Sequence, residues 1–346
     1  MSELKFKKSR YGTLSDGTKV HLFTISNGKM SFSATDFGCT ITSILLPNKN
    51  GIPTDVLLGY SSLEGYINDH GSYGAAVGRF ANRIAGASFQ LSGKTYSLDK
   101  NDGENCLHGG FDRYEKKVWK AKKVRTKHGL GIEFSRLSPD GEQNFPGNAK
   151  IRIIYTLNES NELTLEYFLK TDKPTPVNLT NHAYFNLKGT DGGTIEDHLL
   201  QLNCSSYLKV DEHLIPVEKV NVENDSVFDF RTQKLIGKDI AATGLGYDHA
   251  FIIDGCDGSL KKAGVLIDEK DRRSMSIYTT CPAAQIYTGN FVEGTVGKNG
   301  RLYHNHESVC IETEDFPDAP NHSDFPCCIA SPAKPYYQKT VYKFDF

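Results

Sequence analysis

Apolar residues along this chain recur at every second position far more often than at every third or fourth. Ile151, Ile153, Tyr155 and Leu157 follow that spacing, and so do Leu163, Leu165, Tyr167 and Leu169. A period of two is the signature of a strand with one face turned to a core. The polar turn Asn158-Glu159-Ser160-Asn161 separates the two runs, which predicts a β-hairpin. A second hairpin is predicted for SFQLSGKTYSL, residues 88–98, turning near Ser92-Gly93. A third joins residues 263–268 to 275–280 through the charged bend from Glu269 to Arg273. Shorter strands are predicted at 20–25, 40–46, 117–123, 131–135 and 341–346. Long capped helical patterns are nearly absent.

Many short antiparallel strands on one long chain predict an all-β protein, a large antiparallel β-sandwich of two sheets packed face to face. The 32 glycines and 13 prolines are spread between strands rather than massed in a linker, and nothing repeats at a fixed period. Residues 1–346 are therefore expected to form one domain. Lys plus Arg is 40 and Asp plus Glu is 42, a net charge of −2. That balance argues against a nucleic-acid or anionic-membrane partner, since both need concentrated positive charge. The early run Lys5, Lys7, Lys8 and Arg10 is the local exception and reads as a solvated edge. No apolar stretch is long enough to span a bilayer, and the N-terminal MSELKFKKSR lacks the apolar core of a secretory signal, so a cytoplasmic location is expected. None of the eight cysteines forms a C-x-x-C pair. Reduced, mostly buried thiols are expected, including the adjacent Cys327 and Cys328.

Candidate chemistry concentrates in a few segments. Residues 178–189, NLTNHAYFNLKG, hold His182 among three asparagines, with Tyr184 and Phe185 just after it. An imidazole can exchange a proton near neutral pH, and amides and rings can orient a polyhydroxy ligand. The alternative for this segment is a satisfied structural histidine at a strand end. Asn82 and Arg83 lie in GRFANRI, His108 precedes Gly109-Gly110, and Asp248 leads YDHAF into a strand. The two glycines would let backbone approach a ligand closely. Each of these has a bland reading too: a surface ion pair for Arg83, a cap for His108, a strand-edge acid for Asp248. Glu312 is harder to explain away. Strand alternation puts it on one face with Cys310, and an unpaired buried acid costs about several kcal/mol.

Together these segments resemble the aldose 1-epimerase (galactose mutarotase) family. GRFANRIAGASF, LHGG, TNHAYFNLKG, YDHAF, Gln285 in AAQIYTGNF and ETEDFPDAPN match its signatures in the expected order over nearly the whole chain. The resemblance implies a β-sandwich of the galactose mutarotase type, a soluble cytoplasmic isomerase of carbohydrate metabolism, and no metal or organic cofactor. It implies Glu312 as the base at the anomeric hydroxyl, His182 as the acid at the ring oxygen, and His108 as a sugar contact that steadies charge. Asn82, Arg83, Asp248 and Gln285 would hold the remaining hydroxyls. One departure is visible: Glu312-Thr313-Glu314 stands where the family usually reads Glu-Thr-Gln. With both carboxylates pointing into the cleft, as strand alternation allows, the second would raise the proton affinity of Glu312.

The chemistry suits these residue types. An aldose exchanges anomers when a proton leaves the anomeric hydroxyl as another reaches the ring oxygen, after which the aldehyde rotates and the ring closes. A carboxylate paired with an imidazolium can run that exchange in both directions without a cofactor. Three other readings stay open. One is a sugar-binding module without catalysis, and another a relative acting on phosphorylated hexoses, which needs an extra Arg or Lys cluster. The third is a metal enzyme using His304 and His306, which a strand would point the same way. The substrate partner is expected to be a monosaccharide such as galactose or glucose, and the chain a monomer or homodimer.

Overall fold

The computed structural model describes residues 4–346, so the first three residues of the N-terminal decapeptide lie outside the described range. The predicted alternation becomes antiparallel sheet. Among the described residues the largest sheet has nine strands, running spatially from Lys120–Thr126 through Gly129–Ser138, Ala149–Leu157, Glu162–Thr171, Tyr336–Asp345, Arg273–Thr279, Lys261–Asp268 and Leu199–Leu202 to Lys234–Leu235. A six-stranded sheet orders Tyr184–Phe185, Val309–Glu314, Ala283–Tyr287, Asp248–Ile252, Ser206–Val210 and Pro216–Asn221. The N-terminal residues form a five-stranded meander from Lys5–Thr13 to Pro53–Asp55. One short α-helix, Leu63–Ile67, interrupts the pattern among the described residues.

All three predicted hairpins form. Leu157 faces Leu163 across the first, and Lys261–Asp268 pairs with Arg273–Thr279 in the third. In the second, Ser92 and Gly93 take φ values of 52° and 76°, the left-handed pair that a two-residue hairpin turn requires. Two boundaries move. The strand predicted at 117–123 begins at Lys120, because Lys117 N–H instead closes a turn onto the Tyr114 carbonyl and Trp119 N–H bonds Asp36 O. The C-terminal strand begins at Tyr336 rather than 341 and pairs with Glu162–Thr171 from its first residue.

The sheets meet over one apolar core. Phe185 of the six-stranded sheet packs edge-on to Tyr342 of the nine-stranded one, ring centres 5.3 Å apart, and Tyr342 Oη donates to Ile311 O at 3.1 Å. Phe23 packs against Phe134 at 6.2 Å and ties in the N-terminal meander. Burying each such side chain stabilises the fold by roughly 1.5–3 kcal/mol. Val309 and Ile311 point into this core, so strand alternation turns Cys310, Glu312 and Glu314 to the other face of the sheet. The core therefore decides where the acids go.

All eight cysteines are free and most are buried, as expected. Cys327 corrects the expectation for the adjacent pair: it is exposed while Cys328 is buried. Successive side chains of an extended segment point opposite ways, so neighbours are both buried only where both faces are covered. No helix among the described residues is long and apolar enough to cross a membrane.

Candidate active site

Three neighbouring strands of the six-stranded sheet line up a row of polar side chains. Gln285 sits directly opposite Glu312, and Ala250 opposite Gln285. Asp248, two residues from Ala250, shares its face. Gln285 Nε2 donates to Asp248 Oδ1 at 2.7 Å. From the sheet edge comes His182, just before Tyr184–Phe185. Its Nε2 lies 3.5 Å from Glu312 Oε1. Tyr184 stacks on the His182 ring, centres 4.9 Å apart and planes at 19°, and Tyr73 stacks on Tyr184 in turn at 4.1 Å. That stack fixes the plane of the imidazole.

A two-strand ladder outside the main sheets supplies the rest, pairing Leu107 with Arg83. Asn82 adopts φ 63° and His108 φ 55°, left-handed conformations that an asparagine tolerates better than most residues. The Asn82 backbone N–H donates to His108 Nδ1 at 3.1 Å. A neutral imidazole that accepts at Nδ1 carries its proton on Nε2. The His108 ring stands edge-on to His182, centres 5.6 Å apart. Arg83 Nε donates to Asp102 Oδ2 at 2.7 Å. Asn82, Arg83, His108, His182, Asp248, Gln285 and Glu312 all line one cavity of about 590 Å³.

Burial governs the charges there. It pushes the Glu312 carboxyl well above the ordinary carboxylate range, and the nearby Glu314 and Asp248 carboxyls push it further while Arg83 pulls it back. Burial raises Asp248 too. The same desolvation drives His182 down to about 3, with Arg113 adding to the shift, and holds His108 well below the usual imidazole range. These shifts favour a proton on Glu312 and a neutral His182. Burial thus favours the uncharged form of this couple over the carboxylate–imidazolium pair expected from sequence, because two opposite charges lose more hydration than their attraction returns.

Several readings of the segments change. The three asparagines of residues 178–189 do not line the cavity. Asn178, Asn181 and Asn186 are buried and brace backbone carbonyls: Asn178 that of Ala81, Asn181 that of Gly74, Asn186 those of Gly193 and Glu307. A stretch that reads as too polar for a core is buried because the NH₂ group of each amide finds a backbone carbonyl there. Gly109 and Gly110 make room for protein rather than for a ligand: a Cβ would lie 2.6 Å from the Gln143 side chain at Gly109 and 2.6 Å from Asp99 at Gly110. Arg83 fits both of its readings, since it pairs with Asp102 and also faces the cavity. His304 and His306 are not on a strand, and His304 Nδ1 is engaged with Glu293 Oε1 at 2.8 Å. Among the described residues no group of three His, Cys, Asp or Glu side chains is placed to hold a metal ion.

The aldose 1-epimerase family model matches residues 21–343. The chain belongs to that family. It is 39% identical over 333 residues to human galactose mutarotase, covering 96% of each chain. It is 35% identical to the aldose 1-epimerase of Escherichia coli K12, covering 95% of this chain and 96% of the other. Among solved structures, an aldose epimerase homologue from C. elegans superposes with a TM-score of 0.85 at 31% identity, covering 93% of this chain and 98% of that one. The galactose 1-epimerase of Lactobacillus acidophilus gives 0.86 at 27% identity, with 99% of each chain covered. The galactose mutarotase type of sandwich is shared by these chains.

This epimerase-family cavity also holds residues that sequence reasoning missed: Arg113, Tyr60, Asp69, His70, Tyr73 and Phe291. Arg113 Nη1 donates to the buried Glu115 at 3.2 Å, and nothing in the sequence around it signals a site. Asp69 accepts from Tyr60 Oη and from the Gly71 and Tyr73 N–H groups. The polar run Asn68-Asp69-His70-Gly71-Ser72 had the same turn-like character as the recognised segments and was the one signal available.

Proposed function

We propose that the aldose 1-epimerase activity of this chain, interconversion of the α and β anomers of aldohexoses such as D-galactose and D-glucose, is carried by Glu312 and His182 acting across one bound sugar. The observation that carries this reading is the 3.5 Å approach of His182 Nε2 to Glu312 Oε1 inside a cavity lined by every other expected residue. Glu312 takes the proton of the anomeric hydroxyl while His182 delivers one to the ring oxygen. The aldehyde turns about a single bond, and closure returns both protons. Hydrogen bonds from the sugar hydroxyls replace hydration that burial removed, which brings the charged carboxylate–imidazolium arrangement within reach. His108, with its proton on Nε2, donates to the sugar and steadies charge. Asn82, Arg83, Asp248 and Gln285 hold the other hydroxyls, and a buried amide or carboxylate discriminates strongly against a sugar lacking its partner.

Polarimetry of freshly dissolved α-D-galactose tests the reading. Catalysed decay of rotation is the expected result, whereas sugar binding with no change in exchange rate would favour a binding module. Arg83 and Arg113 are each already engaged by a carboxylate, which supports a neutral hexose over a phosphorylated one. Asp248→Ala should raise KM by about tenfold while kcat falls less than threefold, since it removes a hydroxyl acceptor and no reacting group.

The proton inventory sets the pH profile. The working pair holds one proton in total. A second proton charges His182 only near its lowered value of about 3. The last proton leaves Glu312 only above the ordinary carboxylate range. Plotted against pH, kcat/KM should therefore be flat through neutrality and fall on the alkaline side as the shared proton is lost. A profile rising steadily to alkaline pH would contradict the single-proton pair. The balanced charge and free thiols support a cytoplasmic, single-domain enzyme working as a monomer or homodimer without nucleic-acid or membrane partners.

A further inference from the structure

Behind the cavity wall lies a carboxylate with no contact to the sugar space. Glu314 is on the same strand face as Glu312 and is fully buried, yet does not line the cavity. Two amides converge on it. Asn82 Nδ2 donates to Glu314 Oε1 at 2.9 Å and Asn178 Nδ2 to Glu314 Oε2 at 3.2 Å. Neither amide is free to turn round. Asn82 Oδ1 accepts the Arg83 backbone N–H at 2.9 Å, and Asn178 Oδ1 accepts that of Asp315 at 2.9 Å. Both NH₂ groups must then face residue 314, and two fixed donors call for two acceptor oxygens. An ionised carboxylate offers both, and a carboxylic acid does so only with its own proton turned away from the two amides.

From Glu314 the chain of contacts leads to the site. Its partner Asn82 holds a left-handed backbone whose N–H fixes Nδ1 of His108 as an acceptor and whose carbonyl receives the His108 N–H at 3.1 Å. Asn82 and His108 both face the sugar cavity. We propose that Glu314 is a positioning residue of the epimerase site: its carboxylate pins Asn82, and through Asn82 the Nε2–H tautomer of His108, while its charge faces Glu312 from behind. This deepens the function proposed above and rests on it.

The charges around the pair support the electrostatic half of that role. Glu312 is faced by Glu314 on its own strand, by Asp248 across the sheet, by Arg83 from the outer ladder and by His182 from the sheet edge. Glu314 itself is faced by Asp315 and Asp248, and burial holds it up at about 8 against the pull of its two amides. Glu312 receives no such amide bonds. Of two coupled buried carboxyls, the one given two N–H donors ionises first. Glu314 thus ionises first, as pH rises past its raised value, and Glu312 keeps its proton to higher pH still.

The test compares Glu314→Gln with Glu314→Asp by polarimetry on galactose from acid to alkaline pH, with wild type and Glu312→Gln in parallel. Glu314→Gln loses the charge and turns an NH₂ against one of two fixed donors. Its alkaline limb should move down by about one pH unit or more, and KM should rise by roughly threefold or more. Glu314→Asp keeps the charge, so its limb should stay with wild type while KM rises. Ring ¹⁵N NMR of His108 should show a single Nε2–H tautomer in wild type and a mixture in Glu314→Gln. An active Glu314→Gln enzyme with the wild-type limb and wild-type KM would overturn the proposal, as would an unmoved limb with only a uniform loss of rate. If Glu314→Gln does not fold, Glu314→Asp decides: an altered KM at an unmoved limb supports the role, and wild-type behaviour in both refutes it. Failure of the underlying function would look different, because Glu312→Gln would then retain the wild-type rate.

Discussion

Glu312→Gln should lower kcat for α-to-β-galactose conversion by about 10³-fold, within the range that a positioned acid–base group supplies. Glutamine keeps the shape of the side chain and its place opposite Gln285, but it neither accepts the anomeric proton nor returns one. KM should change little, since the hydroxyl contacts proposed for Asn82, Arg83, Asp248 and Gln285 are untouched. A folded variant with near-normal rates in polarimetry would remove Glu312 from the reaction. The same substitution makes a stability prediction of definite sign. In the folded state the Glu312 carboxyl holds its proton well above the ordinary carboxylate range. Its contribution to stability is therefore fully present below the unfolded pKa and is lost as pH rises through the raised folded value. Glutamine cannot ionise, so the Tm of Glu312→Gln should decline less than that of wild type between about pH 5 and about pH 9. A steeper decline in the variant would mean that the carboxyl is not strained by burial.

His182→Ala should be as severe, lowering kcat by about 10²- to 10⁴-fold with a smaller effect on KM. In the proposed reaction the imidazole delivers a proton to the ring oxygen and takes one back at closure, and alanine can do neither. Removing the ring leaves a gap against Tyr184, whose ring centre lies 4.9 Å from that of the lost imidazole. The gap is a place for imidazole added to the assay. Partial rescue by imidazole, absent with an equally sized non-basic heterocycle, would identify the lost function as proton transfer. Equal recovery with both would identify packing instead. Unaltered kcat in the folded variant would assign the proton at the ring oxygen to another group, and His108 is the nearest candidate.

Periodicity made the strands legible. Runs such as Ile151 to Leu157 and Leu163 to Leu169 state their pairing through the turn between them, and the observed register follows. Strand ends were less legible at Lys120 and Tyr336, because a tertiary contact, Trp119 N–H to Asp36 O, and pairing with the distant Leu169 fix them. Glu312 was legible because an acid on an apolar strand must be either paired or used. The asparagines of residues 178–189 misled, since polarity in sequence does not distinguish an amide facing a ligand from one bonded to a buried carbonyl. Arg113 and Tyr73 were invisible, as they enter the cavity from segments with no regular pattern. Cys327 misled for a simpler reason: neighbouring residues in extended chain face opposite ways.

By itself the sequence determined an antiparallel β protein with its hairpins, because period and residue chemistry are local properties, and its resemblance to the aldose 1-epimerase family pointed to seven of the polar side chains that line the cavity. The tertiary structure alone decided that Glu312 and His182 stand 3.5 Å apart and that burial raises the carboxyl and lowers the imidazole. It also decided that Glu314 sits behind the wall rather than in it. Distance and dielectric arise only when distant strands pack against one another, so no local pattern encodes them.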